Sequence, residues 1–287
     1  MSHVDQFESA FRSAIRPVYQ PHAIDLNCVL TISDLPREAA AGFVDRGKRY
    51  LASIFPQRNQ IRWEELGRDS YDSTATLLAR VQSIDPSLIV TYRNLDTEDW
   101  QFQNSMGSRL DTLINQTRYP VLVTPHPKTN LSPDHGLSRT STVIAITDHL
   151  TDDHTLIDYA AAFVNAPGSL VLAHLEDKNT FDRYLEAISR ITTIDTEDAA
   201  LKIRDQLLKD PMAYVQSCRE RLLTTSPQIK VREIVEFADG ISNFKAHIAA
   251  QSANLLVMKG IDHDQPGIHG IAQRLINETR QIPVLVV

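Results

Sequence analysis

The sequence predicts an α/β fold made of two doubly wound parallel sheets that descend from an internal duplication. Three observations carry this. LINQTRYPVLV, from Leu113, recurs as LINETRQIPVLV, from Leu275, with one residue added. A match this long between two halves marks a repeat, and each copy runs from a helical pattern through a Pro into a short β-branched strand. CVLTISD (Cys28 to Asp34) and TVIAITD (Thr142 to Asp148) open the halves with one apolar shape and one final Asp. Apolar runs then alternate with amphipathic ones, the order expected of parallel strands covered on both faces.

Taken in order, residues 1–26 read as an N-terminal arm, helical from Val4 to Ile15. The first domain spans 27–124. After its opening strand comes a helix with Phe43, Gly47, Tyr50, Leu51 and Ile54 on one face. QIRWEEL, a second helix, the strand SLIVTY (Ser87 to Tyr92), a last helix and PVLV complete it. A linker follows at 125–141, rich in Pro, Ser and charge.

The second domain spans 142–287. Its first helix places Leu156, Ala160, Phe163 and Val164 together, and SLVLAHLE (Ser169 to Glu176) is a further strand. A helical insertion at about 178–226 repeats Phe181, Tyr184, Leu185, Ile188 and Ile191 at helical spacing. Within it, Asp210-Pro211 reads as a cap followed by a first-turn proline, so the stretch divides into two or more helices. IKVREIVEF, NLLVMKG, a helix and PVLVV close the chain. Matching IKVREIVEF to QIRWEEL leaves the first domain without the SLVLAHLE strand and its crossover. The first sheet is therefore expected to be truncated, with the arm covering what the deletion exposes.

Composition narrows the function classes. The 287 residues are 42% hydrophobic and 23% charged, values of a globular protein with room for two cores. A net charge of −7 argues against a nucleic-acid or anionic-membrane surface. No apolar run is long enough to span a bilayer, and MSHVDQFESAFRSAI lacks the apolar centre of a secretion signal, so the expected location is cytoplasmic. Cys28 and Cys218 are the two cysteines, too few for a disulfide framework or a cysteine zinc site.

A strand ending in Asp, a later LLVMKG strand, a glycine-bearing loop, an amphipathic helix and a final PVLVV strand resemble the universal stress protein family. The order occurs twice, over roughly Asn27 to Thr124 and Thr142 to Val287, as in tandem members. The resemblance implies a parallel sheet of the adenine nucleotide α-hydrolase-like type in each domain. It also implies that the two PVLV strands pair as an intramolecular pseudo-dimer, each satisfying the other's backbone edge.

Many family members bind ATP through a loop patterned G-x2-G-x9-G-[ST], in which glycines let backbone N–H groups reach phosphate and a helix N-terminus faces it. Here both copies depart from that pattern. In the first, the leading glycine positions fall on Tyr92 and Leu95, and Gly107-Ser108 remains. In the second, Gly260 matches the first glycine, His263 stands at the next, and Ile271 follows Gly270 where a hydroxyl is expected. The resemblance places the nucleotide or ligand cleft against Asp148, Leu175, Gly260, His263, Gly267 and Gly270, and against Asp34, Gly107 and Ser108. A simpler role for Asp34 and Asp148 is to cap the following helix.

Two polar loops of the second half, DHLTDDHT and DHDQPGIH, would meet at the crevice of a doubly wound sheet. His149, Asp152, Asp153 and His154 could then join His263, Asp264 and His269 around a metal. No Gly-x-Ser-x-Gly elbow, P-loop or HExxH occurs. His174 reads as structural, and Arg37, Arg46, Lys48 and Arg49 as a solvated helix face. An apolar pocket beneath the insertion is a further expectation. The reading is a non-catalytic stress-response regulator with no required cofactor, acting through a protein partner or small ligand, with a further homodimer left open. ATP binding by the second domain is the first alternative, and a metal-dependent enzyme the second.

Overall fold

The computed structural model describes residues 18–57, 60–97, 105–128, 137, 139–147, 154–262, 265–268 and 270–287, with the backbone alone at 261–262, 265–268 and 270–271. Its β-strands are β1 (Cys28–Ile32), β2 (Arg62–Leu66), β3 (Leu88–Tyr92), β4 (Val121–Thr124), β5 (Thr142–Thr147), β6 (Gly168–Asp177), β7 (Ile229–Ala238), β8 (Leu255–Met258), β9 (Ile261–Asp262), β10 (Gln265–Ile268) and β11 (Val284–Val286). The helices are α1 (Arg37–Ile54), α2 (Thr74–Ile84), α3 (Ser108–Gln116), α4 (His154–Ala162), α5 (Lys178–Ser189), α6 (Thr196–Thr225), α7 (Ile241–Ala250) and α8 (Gly270–Glu278).

Nine strands form one sheet in the order β2-β1-β3-β4-β11-β8-β5-β6-β7, and β9 and β10 make a separate antiparallel hairpin. Every neighbouring pair in the large sheet is parallel except β4 and β11. Those two carry the repeated PVLV, and their register is Val121↔Val286, Leu122↔Leu285 and Val123↔Val284. The pairing is self-complementary about Leu122 and Leu285, both fully buried. An all-apolar strand cannot be left as a solvent-facing edge, so each copy closes the other's hydrogen-bond ladder.

The alternation of apolar and amphipathic segments is realised as read. β1 and β3 are buried throughout, and α1 buries Phe43, Val44, Gly47, Tyr50 and Leu51. One match is corrected. QIRWEEL becomes β2, which pairs with β1 just as β6 pairs with β5. It therefore takes the seat of β6 and not that of β7, to which the sequence match assigned it. A strand must find a hydrogen-bonding neighbour, and with no other strand beside β1 the free edge of β1 is the seat available. The first half is one strand short, at the outer position.

The insertion also differs from expectation. α6 runs unbroken through Pro211, and the chain breaks instead between α5 and α6, where Asp195 accepts from the N–H groups of Glu197 (3.0 Å) and Asp198 (3.2 Å). An internal proline costs a helix about 3 kcal/mol. Here Pro211, Tyr214, Val215, Cys218 and Leu222 form the buried face of α6, and that burial offsets the cost. α6 lies directly on β6 and β7, as an ordinary crossover helix would.

The helix expected at Val4 to Ile15 lies outside the described residues. The segment that follows it docks on the second half. Tyr19 is buried, its hydroxyl donates to Asp158 Oδ1 of α4 (2.6 Å), and its backbone N–H donates to Ser217 Oγ of α6 (3.1 Å).

A second cross-half tie is made by Arg93. Its guanidinium is buried and donates to the carbonyls of Ile276, Asn277 (2.9 Å) and Thr279 (3.1 Å), at the C-terminal end of α8. Helix ends leave carbonyls without intrahelical partners, and their partial negative charge favours a cation. Burial lowers the pKa of this guanidinium to about 9, so it is still charged at neutral pH. Arg93→Ala strips these carbonyls of their donor and is expected to cost roughly 2–4 kcal/mol, measured by urea denaturation. Arg93→Lys should recover only part of it, since an ammonium cannot span the same set of acceptors.

Candidate functional site

In each half the sheet order reverses between its first strand and the strand before its closing helix: β1 beside β3, and β5 beside β8. The crevice at the carboxyl ends of such strands is the usual ligand site of a doubly wound sheet. The two crevices are furnished differently.

In the first half, side chains of the chain itself fill the space. Tyr92, fully buried, donates its hydroxyl to Asp34 Oδ1 and accepts from the Asp34 backbone N–H (3.0 Å). The Ser33 hydroxyl lies 3.0 Å from the same oxygen. Asp34 Oδ2 accepts from the Asp96 N–H (3.0 Å). Phe43 and His126 meet the Tyr92 ring edge-on, with centroids 5.3 Å and 4.9 Å away. Burial first, and the Asp34 carboxylate second, push the Tyr92 phenol far above its ordinary pKa, which keeps it a donor. Asp34 is thus no helix cap: α1 begins at Pro36 without a side-chain cap bond, because the carboxylate is already held by Tyr92 and the loop.

The glycine–hydroxyl pair sits next to this network. Gly107 has φ +83°, and a Cβ there would lie 2.8 Å from Asn94 Cα, so glycine is required by the loop's own packing. The Asn94 N–H donates to the Met106 carbonyl (2.8 Å) and locks the two arms of the loop together. Ser108 is exposed and opens α3. In the first turn of that helix, Arg109 Nε pairs with Asp96 Oδ2 at 2.5 Å, both largely buried, and its guanidinium lies over the Tyr71 ring at 4.9 Å. An internal carboxylate therefore meets the cation beside the remnant glycine loop.

In the second half the described residues leave a cavity at a different place, beside Gly260. Strand register places Tyr92 opposite Lys259 and Arg93 opposite Gly260, since Leu88 and Leu255 hold matching positions beside Val29 and Val143. The sequence match of Gly260 with Tyr92 is thereby shifted by one residue. A Cβ on Gly260 would lie 2.6 Å from Val286 Cγ1 and 3.4 Å from Ile114 Cγ2, so packing against β11 accounts for this glycine. A cavity of about 480 Å³ lies beside it, lined among others by Thr155, Lys259 and the 114–119 segment that ends α3. This is the place corresponding to the one that Arg93 fills at the end of α8.

Of the remaining predicted positions, Leu175 is a buried core residue of β6. Gly267 lies in β10, and Gly270 starts α8. Asp148, His263 and the metal candidates His149, Asp152, Asp153, Asp264 and His269 lie outside the described residues. His154 is described, and its Nδ1 shares a 2.8 Å hydrogen bond with the Tyr214 hydroxyl. No group of three or more possible metal ligands occurs among the described residues. His174 is buried within hydrogen-bonding reach of Glu176 (3.2 Å). Sequence reasoning missed Arg93, Asp96, Arg109 and Asp158. The clearest signal was Asp158 within the apolar run LIDYAAAF, because a carboxylate there needs a partner.

No protein-family model and no curated protein matches the chain. Among solved structures it is similar to a universal stress protein from Archaeoglobus fulgidus DSM 4304, with 13% identity and a TM-score of 0.53 over 91% of this chain and 98% of that one. A functionally unknown protein from Pseudomonas aeruginosa PAO1 aligns with 14% identity and a TM-score of 0.49 over 92% and 93%. The cytoplasmic domain of a prokaryotic cation chloride cotransporter aligns with 13% identity and a TM-score of 0.47 over 91% and 95%. The fold is an α/β fold with a mostly parallel sheet, similar to that of the Archaeoglobus fulgidus universal stress protein. No helix among the described residues is long and apolar enough to cross a membrane.

Two outcomes are expected. His126 is buried against Tyr92, its Nδ1 accepts from the Lys128 N–H (3.1 Å), and burial lowers its pKa from 6.5 to about 4. The folded value lies below the unfolded one, so this contribution is complete above pH 6.5 and is lost as pH falls toward 4. Urea denaturation across that window should show His126→Gln losing less stability than the parent, by about 2 kcal/mol after solvent screening. Gly260→Ala should lower stability by roughly 1–3 kcal/mol through overpacking, read as an earlier urea midpoint at constant slope.

Proposed function

We propose that the chain is a tandem member of the universal stress family. Its domains, 27–124 and 142–287, pack as an intramolecular pseudo-dimer, and it acts as a non-catalytic stress-response regulator in the cytoplasm. The observation that carries this reading is the filled first crevice. Tyr92, held by Asp34 and packed against Phe43 and His126, fills the space at the carboxyl ends of β1 and β3 with side chain. The self-complementary β4–β11 register supports the pseudo-dimer, since a two-fold contact pairs a patch with its own copy. Output would then come from a protein partner or a small ligand, without tight ATP binding by the first half.

The cavity beside Gly260 favours a second reading, in which the second half retains a ligand or nucleotide site. Isothermal titration of the full chain with ATP and Mg²⁺ separates the two. The first reading expects no saturable heat in the micromolar range. One-site micromolar binding that is lost on Gly270→Val would overturn it in favour of the second.

A further inference from the structure

α1 ends against the loop that leaves α4. Asn165 Nδ2 donates to the Ser53 carbonyl (2.6 Å), and the Phe55 and Phe163 rings meet edge-on at 5.4 Å. Beside this contact opens a cavity of about 490 Å³, within the usual size of small-molecule sites. Arg46 and Arg49 reach it from α1, and Arg139 from the segment just before β5. The described residues that line it include no carboxylate. In a chain of net charge −7, three arginines stand among the described residues that line it.

The rest of the wall is suited to a ligand. Leu137, Ala166 and the Tyr50 ring supply apolar surface. Tyr50 is 2% exposed, and its hydroxyl lies beside that of Thr140. The nearby Thr140 hydroxyl already donates to the Phe163 carbonyl (2.5 Å). Burial keeps the Tyr50 phenol protonated, so it remains a donor. Arg139 uses one Nη2 contact, to the Ala166 carbonyl (3.2 Å), which fixes it at the cavity.

We propose that this groove binds a small oligoanion, a molecule with clustered phosphoryl or carboxylate oxygens, through Arg46, Arg49 and Arg139. The sequence alone gives two of these arginines a solvated helix face, because Arg139 lies far along the chain and only folding brings it beside them. Guanidinium groups suit such anions, since their planar donors match paired oxygens. The site is separate from both strand-end crevices and does not depend on the reading proposed for them.

The test is isothermal titration of the full chain, at fixed ionic strength, with pyrophosphate and separately with citrate. One-to-one binding of either probe is expected, weakened about tenfold or more by Arg46→Ala and by Arg139→Ala. Arg183→Ala, on exposed α5, should leave it unchanged. Preference for pyrophosphate assigns phosphoryl chemistry, and preference for citrate assigns carboxylate chemistry. Arg139 is exposed, and thermal melts will verify that its variant folds. Failure of both probes to bind, or binding undiminished in the Arg46→Ala/Arg139→Ala double variant, overturns the proposal.

Discussion

The antiparallel contact of β4 with β11 governs the rest of the molecule. Both strands are buried along their length, and apolar but for Thr124. Left apart, each half-sheet would end in a row of unpaired backbone groups on a hydrophobic strand, an arrangement prone to uncontrolled association. Joined, they make one nine-stranded sheet and bury Leu122 and Leu285 completely. The joint also brings the closing helix of each half within reach of the other half. Arg93 can reach the end of α8, and Gly260 can lie against Ile114 of α3, only because the sheets meet there.

That geometry gives the two repeats different fates at equivalent places. Arg93 fills its place with a buried cation held by helix carbonyls, while Gly260 leaves space for a cavity. Tyr92 and Asp34 close the first crevice with a hydrogen-bonded pair, and Asp96 with Arg109 satisfies charge beside the remnant glycine loop. A buried polar group must be partnered, so the substitutions that closed this crevice had to come as a connected set. Tyr92 without Asp34, or Arg109 without Asp96, would leave a donor or a charge stranded. The second half has the longer sheet and carries α5 and α6.

Much of the fold could be read from the chain because its signals are local. Strand and helix periodicity located β1, β3, β5, β6 and β8 and the buried face of α1. The repeated PVLV pointed to the two strands that join. The errors arose where a neighbour decided. Pro211 stops a helix by local rules, yet α6 continues because its face is buried on β6 and β7. QIRWEEL resembles IKVREIVEF, but its seat was set by the vacant edge of β1.

The amino-acid sequence by itself determined the α/β class and the PVLV repeat, since periodicity and repetition are properties of short stretches. Only the tertiary structure decided which side chains fill the first crevice, that Arg93 and Gly260 hold matching strand positions, and that Arg46, Arg49 and Arg139 line one groove. Those facts rest on distances between residues remote in the chain, and such distances are fixed by sheet order and packing, not by local preference.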